Sequence, residues 1–421
     1  MSQPSEFAPS GQKFPPRWEF ISICAGLMAL NALAIDIMLP GMQEIGASLG
    51  VTDENQRQLI IPVYFLGMAA GLLFYGPASD RFGRRRPLFF GLAIYIVAAF
   101  FAAFAPTFES LLALRFIQGI GAASTRVIAV SIVRDRFGGR AMAEVMSLIF
   151  MVFMIIPVIA PNIGQLVLLF GDWHEIFLVM AGLALLIVIW TWLRMPESQH
   201  PEDRRSIDIG SVFRGFGIVL TNRMSLWYTL ASTILFGALF GFINSAQQVY
   251  VGIYGLGVWF PVVFAAIAGM MALSSFLNSR LVGKLGMRRL SHGALIGFFA
   301  VSAVWFGLSL LGPVPFWLFL LLFALAMFQF GWIGSNFNAI SMEPLGHIAG
   351  TAASVQGFIQ TLGGALIGTL IGQSFDGTVT PLAAGFCGVA LAGLVCVLIA
   401  EGGKLFAAPG AAKPVAIAEP H

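Results

Sequence analysis

Gly76-Pro77-Ala78-Ser79-Asp80-Arg81-Phe82-Gly83-Arg84-Arg85-Arg86-Pro87-Leu88 joins two long apolar runs through a short turn that carries four arginines. Glycine permits the sharp reversal such a turn needs. Arginines beside apolar helices anchor to anionic headgroups. The stretch therefore reads as a hairpin at a membrane face, with a crossing helix on either side. Asp80 is placed to pair with a basic helix end, and Arg134 is the expected partner. Gly283-Lys284-Leu285-Gly286-Met287-Arg288-Arg289 repeats the basic, apolar, Gly, any, basic, basic pattern at an offset of 203 residues. The chain is thus expected to consist of two related halves.

Composition agrees. Of 421 residues, 58% are hydrophobic and only 10% are charged, against about 25% charged in a soluble domain. Runs of about 20 apolar residues suffice to cross a bilayer. Such spans are read near 18–45, 57–78, 87–105, 108–133, 141–170, 173–194, 225–251, 258–280, 290–311, 315–341, 347–373 and 381–403. With twelve spans, 20 of the 23 Lys and Arg fall on one side, and only Arg57 lies on the other. The positive-inside rule then places both termini in the cytoplasm. The expected division is a cytoplasmic segment 1–17, a six-helix half 18–194, a polar linker 195–222, a second half 223–404 and a disordered tail 405–421. An amphipathic surface helix is expected around Val212–Leu220. The cysteines Cys24, Cys387 and Cys396 lie in apolar runs and imply no disulfide framework. The five histidines fall in loops, in a tail or at helix ends, which offers no buried zinc site. Of the seventeen methionines some have helical spacing, but no Met pair is joined by Cys or His into a copper-binding cluster, and they read as packing residues. No nucleophile–base set stands out, so an enzyme is not expected.

The Gly76–Leu88 stretch resembles the signature between spans 2 and 3 of the major facilitator superfamily. Three further stretches are similar to its Bcr/CflA (bicyclomycin/chloramphenicol resistance) branch of drug:proton antiporters. They are Ala34-Ile35-Asp36-Ile37-Met38-Leu39-Pro40, Leu114-Arg115-Phe116-Ile117-Gln118-Gly119-Ile120-Gly121-Ala122-Ala123 with Val133-Arg134-Asp135, and Met342-Glu343-Pro344-Leu345-Gly346-His347-Ile348-Ala349-Gly350-Thr351-Ala352. In span 5, Pro157-Val158-Ile159-Ala160-Pro161-Asn162-Ile163-Gly164 looks like the drug-antiporter motif, departing with Ala160 where Gly-Pro is usual. The resemblance implies an all-α membrane protein with twelve helices in two pseudo-symmetric halves, working as a monomer in a bacterial inner membrane. It also implies a cytoplasmic gate built from Gly76, Asp80, Arg81, Gly83, Arg84, Arg85 and Arg134.

Asp36 is the acid set in the middle of an apolar run. A carboxylate in hydrocarbon costs about 2.5–3.5 kcal/mol on insertion scales, and protonation relieves part of that. Asp36 therefore reads as a proton carrier, with a structural pin between spans 1 and 4 as the alternative. Arg115, about two turns inside span 4, needs a partner or water. The resemblance implies a coupling arginine, with Asp36 its counter-charge directly or through water. Pro40 lacks the N–H that the Asp36 carbonyl would otherwise receive. Arg126 follows Arg115 by eleven residues and shares its face. It reads either as a positive cavity wall for anionic or electron-rich solutes or as an arginine snorkelling to headgroups.

Polar residues elsewhere in the spans are candidates for a substrate cavity, because such groups avoid lipid. They are Asn31, Asn162, Gln165, Asn244, Gln248, Gln329, Trp332, Asn336, Gln356 and Gln360. Hydrogen bonds between helices are the alternative reading for each. Gly67/Gly71, Gly237/Gly241 and Gly364/Gly368/Gly372 have the small-xxx-small spacing of close helix contacts. The expected function is proton-driven export of small amphiphilic compounds, with no cofactor and no nucleic-acid partner. A proton-coupled or facilitated carrier of one specific metabolite, anionic or neutral, is the alternative.

Overall fold

The computed structural model describes residues 11, 13–137, 139–204 and 209–406, without the side chains of 139, 140, 143, 147, 150–154, 203, 209, 211–213, 215 and 346–351. Of the expected tail 405–421, residues 407–421 lie outside the described residues. Twelve long helices form among them: α1 Arg17–Asp36, α2 Ile60–Phe82, α3 Arg85–Ala102, α4 Phe108–Arg136, α5 Gly139–Phe170, α6 Trp173–Arg194, α7 Arg223–Gln247, α8 Phe260–Leu285, α9 Met287–Leu311, α10 Phe316–Met342, α11 Ala349–Gln373 and α12 Thr380–Ala400. The described residues contain no strand. Eleven of these helices, all but α5, are long and apolar enough along their described residues to cross a membrane. In α5 the apolar stretch so described is Ile155–Phe170.

The first expected span, 18–45, is interrupted. α1 ends at Asp36, a 3-10 turn follows at Leu39–Gly41, and a short helix runs Met42–Ser48. Pro40 supplies the reason, since it has no N–H to continue the ladder. α7 also changes at its end, passing from Gln247 directly into a π-helical turn at Gln248–Ile253. Ile209–Thr221 in the linker is helical, as expected, and its Phe216 packs edge-on to Phe358 of α11.

Helix pairing repeats between the two sets of six. α2 packs on α4 as α8 does on α10; α1 on α5 as α7 on α11; α3 on α6 as α9 on α12. The sets meet through α2 against α11 and α5 against α8. The glycine ladders explain how closely helices approach. A Cβ on Gly67 would fall 2.0 Å from the Phe116 carbonyl oxygen, and one on Gly119 2.1 Å from that of Tyr64. Gly237 and Gly241 admit Ile367 and Ile371 of α11, while Gly368 faces the Gly241 nitrogen. Phe74, Phe100, Phe104, Trp192, Leu193 and Trp317 remain exposed on the outside, as a lipid-facing surface requires.

One face of the bundle holds the start of α1 and the ends of α4 and α6. There Arg194 grips Glu19 at 2.6 Å, and Arg136 donates to the Pro15 carbonyl. At the opposite face the halves are tied together. Asn55 donates to the carbonyls of Gln373 (3.2 Å) and Phe375 (3.1 Å), Gln373 donates to the Asn55 carbonyl (2.6 Å), and Gln58 bonds Gln248. Phe65 of α2 stacks on Phe240 of α7, with centroids 4.1 Å apart.

Candidate functional site: a charged centre between α1 and α4

A Thr107/Ser110 capping box starts α4, and its glycines let α2 and α3 lie against its middle. A Cβ on Gly121 would come 2.5 Å from the Gly91 carbonyl oxygen of α3. That close packing fixes the direction of Arg115, which is fully buried. Its Nη2 donates to the Ala34 carbonyl (3.0 Å), its Nη1 to Gln118 Oε1 (2.6 Å) and its Nε to the Ile60 carbonyl (3.5 Å). The guanidinium also lies 4.5 Å from the centre of the Tyr64 ring. Arg115 is thus held by backbone carbonyls, an amide and a π-face. Of the two routes the sequence left open to Asp36 as counter-charge, directly or through water, the direct ion pair is not formed.

Asp36 stands two residues beyond the carbonyl that Arg115 holds. It is 4% exposed and closes α1. Its carboxylate makes no ion pair or hydrogen bond with any described residue. Gly164 of α5 abuts the next residue, because a Cβ there would sit 1.9 Å from the Ile37 carbonyl oxygen. The glycine of the span-5 motif therefore lets α5 press on the break in α1 directly beside the acid. Toward the terminal face, Asn31 Nδ2 donates to Thr125 Oγ1 (2.8 Å), Tyr64 Oη donates to Asn31 Oδ1 (3.4 Å), and Tyr95 Oη donates to the Leu30 carbonyl (3.3 Å). Tyr64, Tyr95, Gln118 and Thr125 were not picked out from the sequence. Gln118 alone carried a local signal, its i, i+3 spacing from Arg115.

Most candidate cavity residues are engaged between helices. Trp332 Nε1 donates to the Ser274 carbonyl (2.8 Å), and Asn336 donates to Asn278 Oδ1 (2.7 Å), both joining α10 to α8. Gln356 joins Ser225 and Ser341, and Gln360 donates to Asn338 (2.7 Å). Gln248 belongs to the tie at the opposite face. Gln329 turns toward α9, where its amide would crowd a Cβ on Gly297 at 2.5 Å. Asn162 is exposed and donates to the Val158 carbonyl of its own helix (2.7 Å), and Gln165 is half-buried. Asn244 is buried with an unpartnered Oδ1.

The basic hairpin is built differently from the expectation. Asp80 pairs with Arg84 at 2.6 Å rather than with Arg134, which is exposed. Arg84 in turn bonds Asp135 at 2.8 Å. Burial works against the Arg84 charge, but the hydrogen bonds and charges of Asp135 and Asp80 outweigh it and hold its pKa above the ordinary arginine value. Gly83, at φ 88°, makes the turn. Glu197 from the linker accepts from the backbone N–H of Arg84 (2.8 Å) and of Arg85 (3.1 Å), capping α3. Arg81 is exposed and Gly76 is uncrowded, the nearest atom to a Cβ there being Ser354 Oγ at 3.8 Å. The repeat carries through to contacts: Arg85 donates to the Trp192 and Met195 carbonyls at the end of α6, and Arg288, 203 residues on, reaches Glu401 after α12 (2.8 Å). Glu197→Ala removes the cap and should lower thermal stability in detergent by about 1–2 kcal/mol. A melting temperature unchanged from wild type would dismiss the cap's importance.

A family model described as Major Facilitator Superfamily matches residues 21–368. A bicyclomycin resistance protein homolog of Haemophilus influenzae is 33% identical over 364 residues, covering 86% of this chain and 91% of the relative. The multidrug resistance protein MdtL of Shewanella oneidensis is 32% identical over 351 residues, covering 81% and 85%. The xylose transporter XylE of E. coli, in a partially occluded inward open conformation, superposes with a TM-score of 0.71 at 12% identity, covering 93% of this chain and 99% of that one. A bacterial homolog of the human lysosomal transporter Spinster, in an inward-facing conformation, gives 0.68 at 16%, covering 93% and 96%. The last two share the fold alone. On the family match and the resistance-protein relatives together, the chain belongs to the Major Facilitator Superfamily and is a membrane transport protein, not an enzyme.

Proposed function

We propose that this chain exports small amphiphilic compounds in exchange for protons by alternating access. The observation that carries this reading is the Asp36 carboxylate, buried at the break in α1 without a protein partner among the described residues. A charge so placed is costly, and binding a proton removes the cost. A group that gains a proton easily and has no fixed counter-ion suits a carrier better than a pin. The relatives named for bicyclomycin and multidrug resistance support the export of drug-like solutes.

In the proposed cycle Asp36 takes a proton from outside and releases it inside, while the solute and the proton compete for the same interior. Arg115 touches the backbone of α1 at Ala34, two residues from Asp36, and so couples the acid's state to the position of α4. The halves 18–194 and 223–404 rock about α2/α11 and α5/α8, with 195–222 as the linker. The amide tie of Asn55, Gln58, Gln248 and Gln373 then closes the external side. This reading includes twelve crossings, cytoplasmic termini, a bacterial inner membrane, a working monomer and no cofactor or nucleic-acid partner.

The test is proton movement in proteoliposomes that hold an internal pH dye, across a panel of amphiphilic drugs. Drug-triggered proton flux should fall at least tenfold in Asp36→Asn, with the purified variant still monodisperse. Drug flux without proton movement, or flux unchanged in the variant, would overturn the role of Asp36. A second reading, a carrier for one anionic metabolite, is favoured by the exposure of Arg126, and saturable uptake of a single solute would distinguish it.

A further inference from the structure

Arg126 stands apart from the other cations within the spans. Arg115 is fully buried and satisfied, whereas Arg126 is exposed and forms no ion pair or hydrogen bond with any described residue. It lies well inside α4, 18 residues from its start and 10 from its end. Ten residues of helix measure about 15 Å, so the helix end is far away.

Its direction separates the two readings that the sequence leaves open. Eleven residues of α-helix bring Arg126 to within about 20° of Arg115 around the helix axis. Ala122 and Val133 lie on the same stripe and are fully buried, and so is Ala129 beside it. Nine residues from Arg126, on the opposite side, Ile117 is exposed as a lipid-facing residue is. A snorkelling arginine has to face lipid. Arg126 faces the interior and is still accessible, so solvent reaches it from inside the bundle. Its neighbour Thr125 is fastened to Asn31 of α1 (2.8 Å). This bond sets its level: Asp36, five residues further along α1, lies about 7 Å nearer the opposite face.

Asp36 and Arg126 are thus an acid and a cation in one half of the bundle, each without a polar partner among the described residues. A guanidinium that faces the interior with five donors and no fixed protein acceptor is free to receive the acceptor of a bound solute. We propose that Arg126 is the ligand for an anionic group, a carboxylate or an equivalent oxyanion, on the transported solute. The substrate class is then amphiphiles with an apolar body and one anionic acceptor. Arginine favours such groups because it can donate two parallel hydrogen bonds to them. The inference rests on the export reading but concerns solute choice only.

The test uses two fluorescent probes that differ in this one charge, dansylglycine and its uncharged methyl ester. Binding to the purified full-length chain is measured by probe fluorescence, and probe-driven proton flux is measured in proteoliposomes. Wild type should bind dansylglycine about tenfold or more tighter than the ester, the worth of a charge-assisted contact. Arg126→Gln should abolish the preference while leaving ester affinity within about twofold, and Arg126→Lys should keep part of it. Equal affinities in wild type, a preference that survives in Arg126→Gln, or no binding of either probe would overturn the proposal. The wild-type comparison stands even if a variant fails to fold. The parent reading is scored separately: ester-driven proton flux that depends on Asp36, with no charge preference, upholds export and sinks the anion site alone.

Discussion

Arg115→Ala should reduce transport by about 100-fold or more, the largest loss expected from a single side chain. The substitution strips four partners at once: the Ala34 and Ile60 carbonyls, Gln118 Oε1 and the face of Tyr64. Each buried acceptor left unpaired costs about 1–3 kcal/mol, and about 1.4 kcal/mol is a factor of ten. Gln118 loses its donor while its own Nε2 is already without a partner, so the amide has little to fall back on. The loss should fall on transport more than on folding, because α4 stays pinned to α2 and α3 through Gly67, Gly119 and Gly121. Arg115→Lys should still cost about tenfold, since an ammonium cannot serve a carbonyl on α1 and Gln118 in the same planar geometry. Drug-driven proton flux per reconstituted transporter, beside a melting curve in detergent, is the measurement. A variant that unfolds in parallel with losing flux would make Arg115 a structural residue, and one that keeps full flux would remove it from the coupling scheme.

Gly67→Leu should abolish the folded protein. The Cβ alone would lie 2.0 Å from the Phe116 carbonyl oxygen and 2.8 Å from its carbon, both backbone atoms that no rotamer change can move. α2 and α4 would have to separate along their most intimate contact, and the packing of Gly119 against Tyr64 would go with it. Membrane helices associate through such van der Waals contact, not through a hydrophobic gain over lipid, so nothing compensates the separation. Gly182→Leu is the control: a Cβ on Gly182 of α6 meets no atom within 4 Å. Monodisperse yield on size-exclusion chromatography should fall at least tenfold for the first and stay near wild type for the second. Equal yields would show that the α2–α4 contact tolerates a spread the packing does not suggest.

Between these two lies the difference between what could be read in one dimension and what could not. Spans, small-residue seams, the repeat at 203 residues and the family were legible because lipid acts as a local filter. It demands about 20 apolar residues per crossing, places small residues where backbones meet, and makes each intramembrane charge conspicuous. Asp36, Arg115 and Arg126 stood out for that reason alone. Their partners did not. The tertiary structure gave Arg115 to the carbonyl of Ala34, 81 residues away, and paired Asp80 with Arg84 and, through it, Asp135. It also placed Glu197 of the linker on the N–H groups of α3. Asn336 of α10 and Gln356 and Gln360 of α11 became cross-helix bonds, and Asn55 and Gln58, at a short helical turn that composition does not mark, became the tie between the two sets of six. A hydrogen bond is decided by about 3 Å of separation between groups that may be hundreds of residues apart in the chain. Hydrophobicity fixes that a helix crosses, and only the packing of its neighbours fixes which way each polar side chain on it can reach.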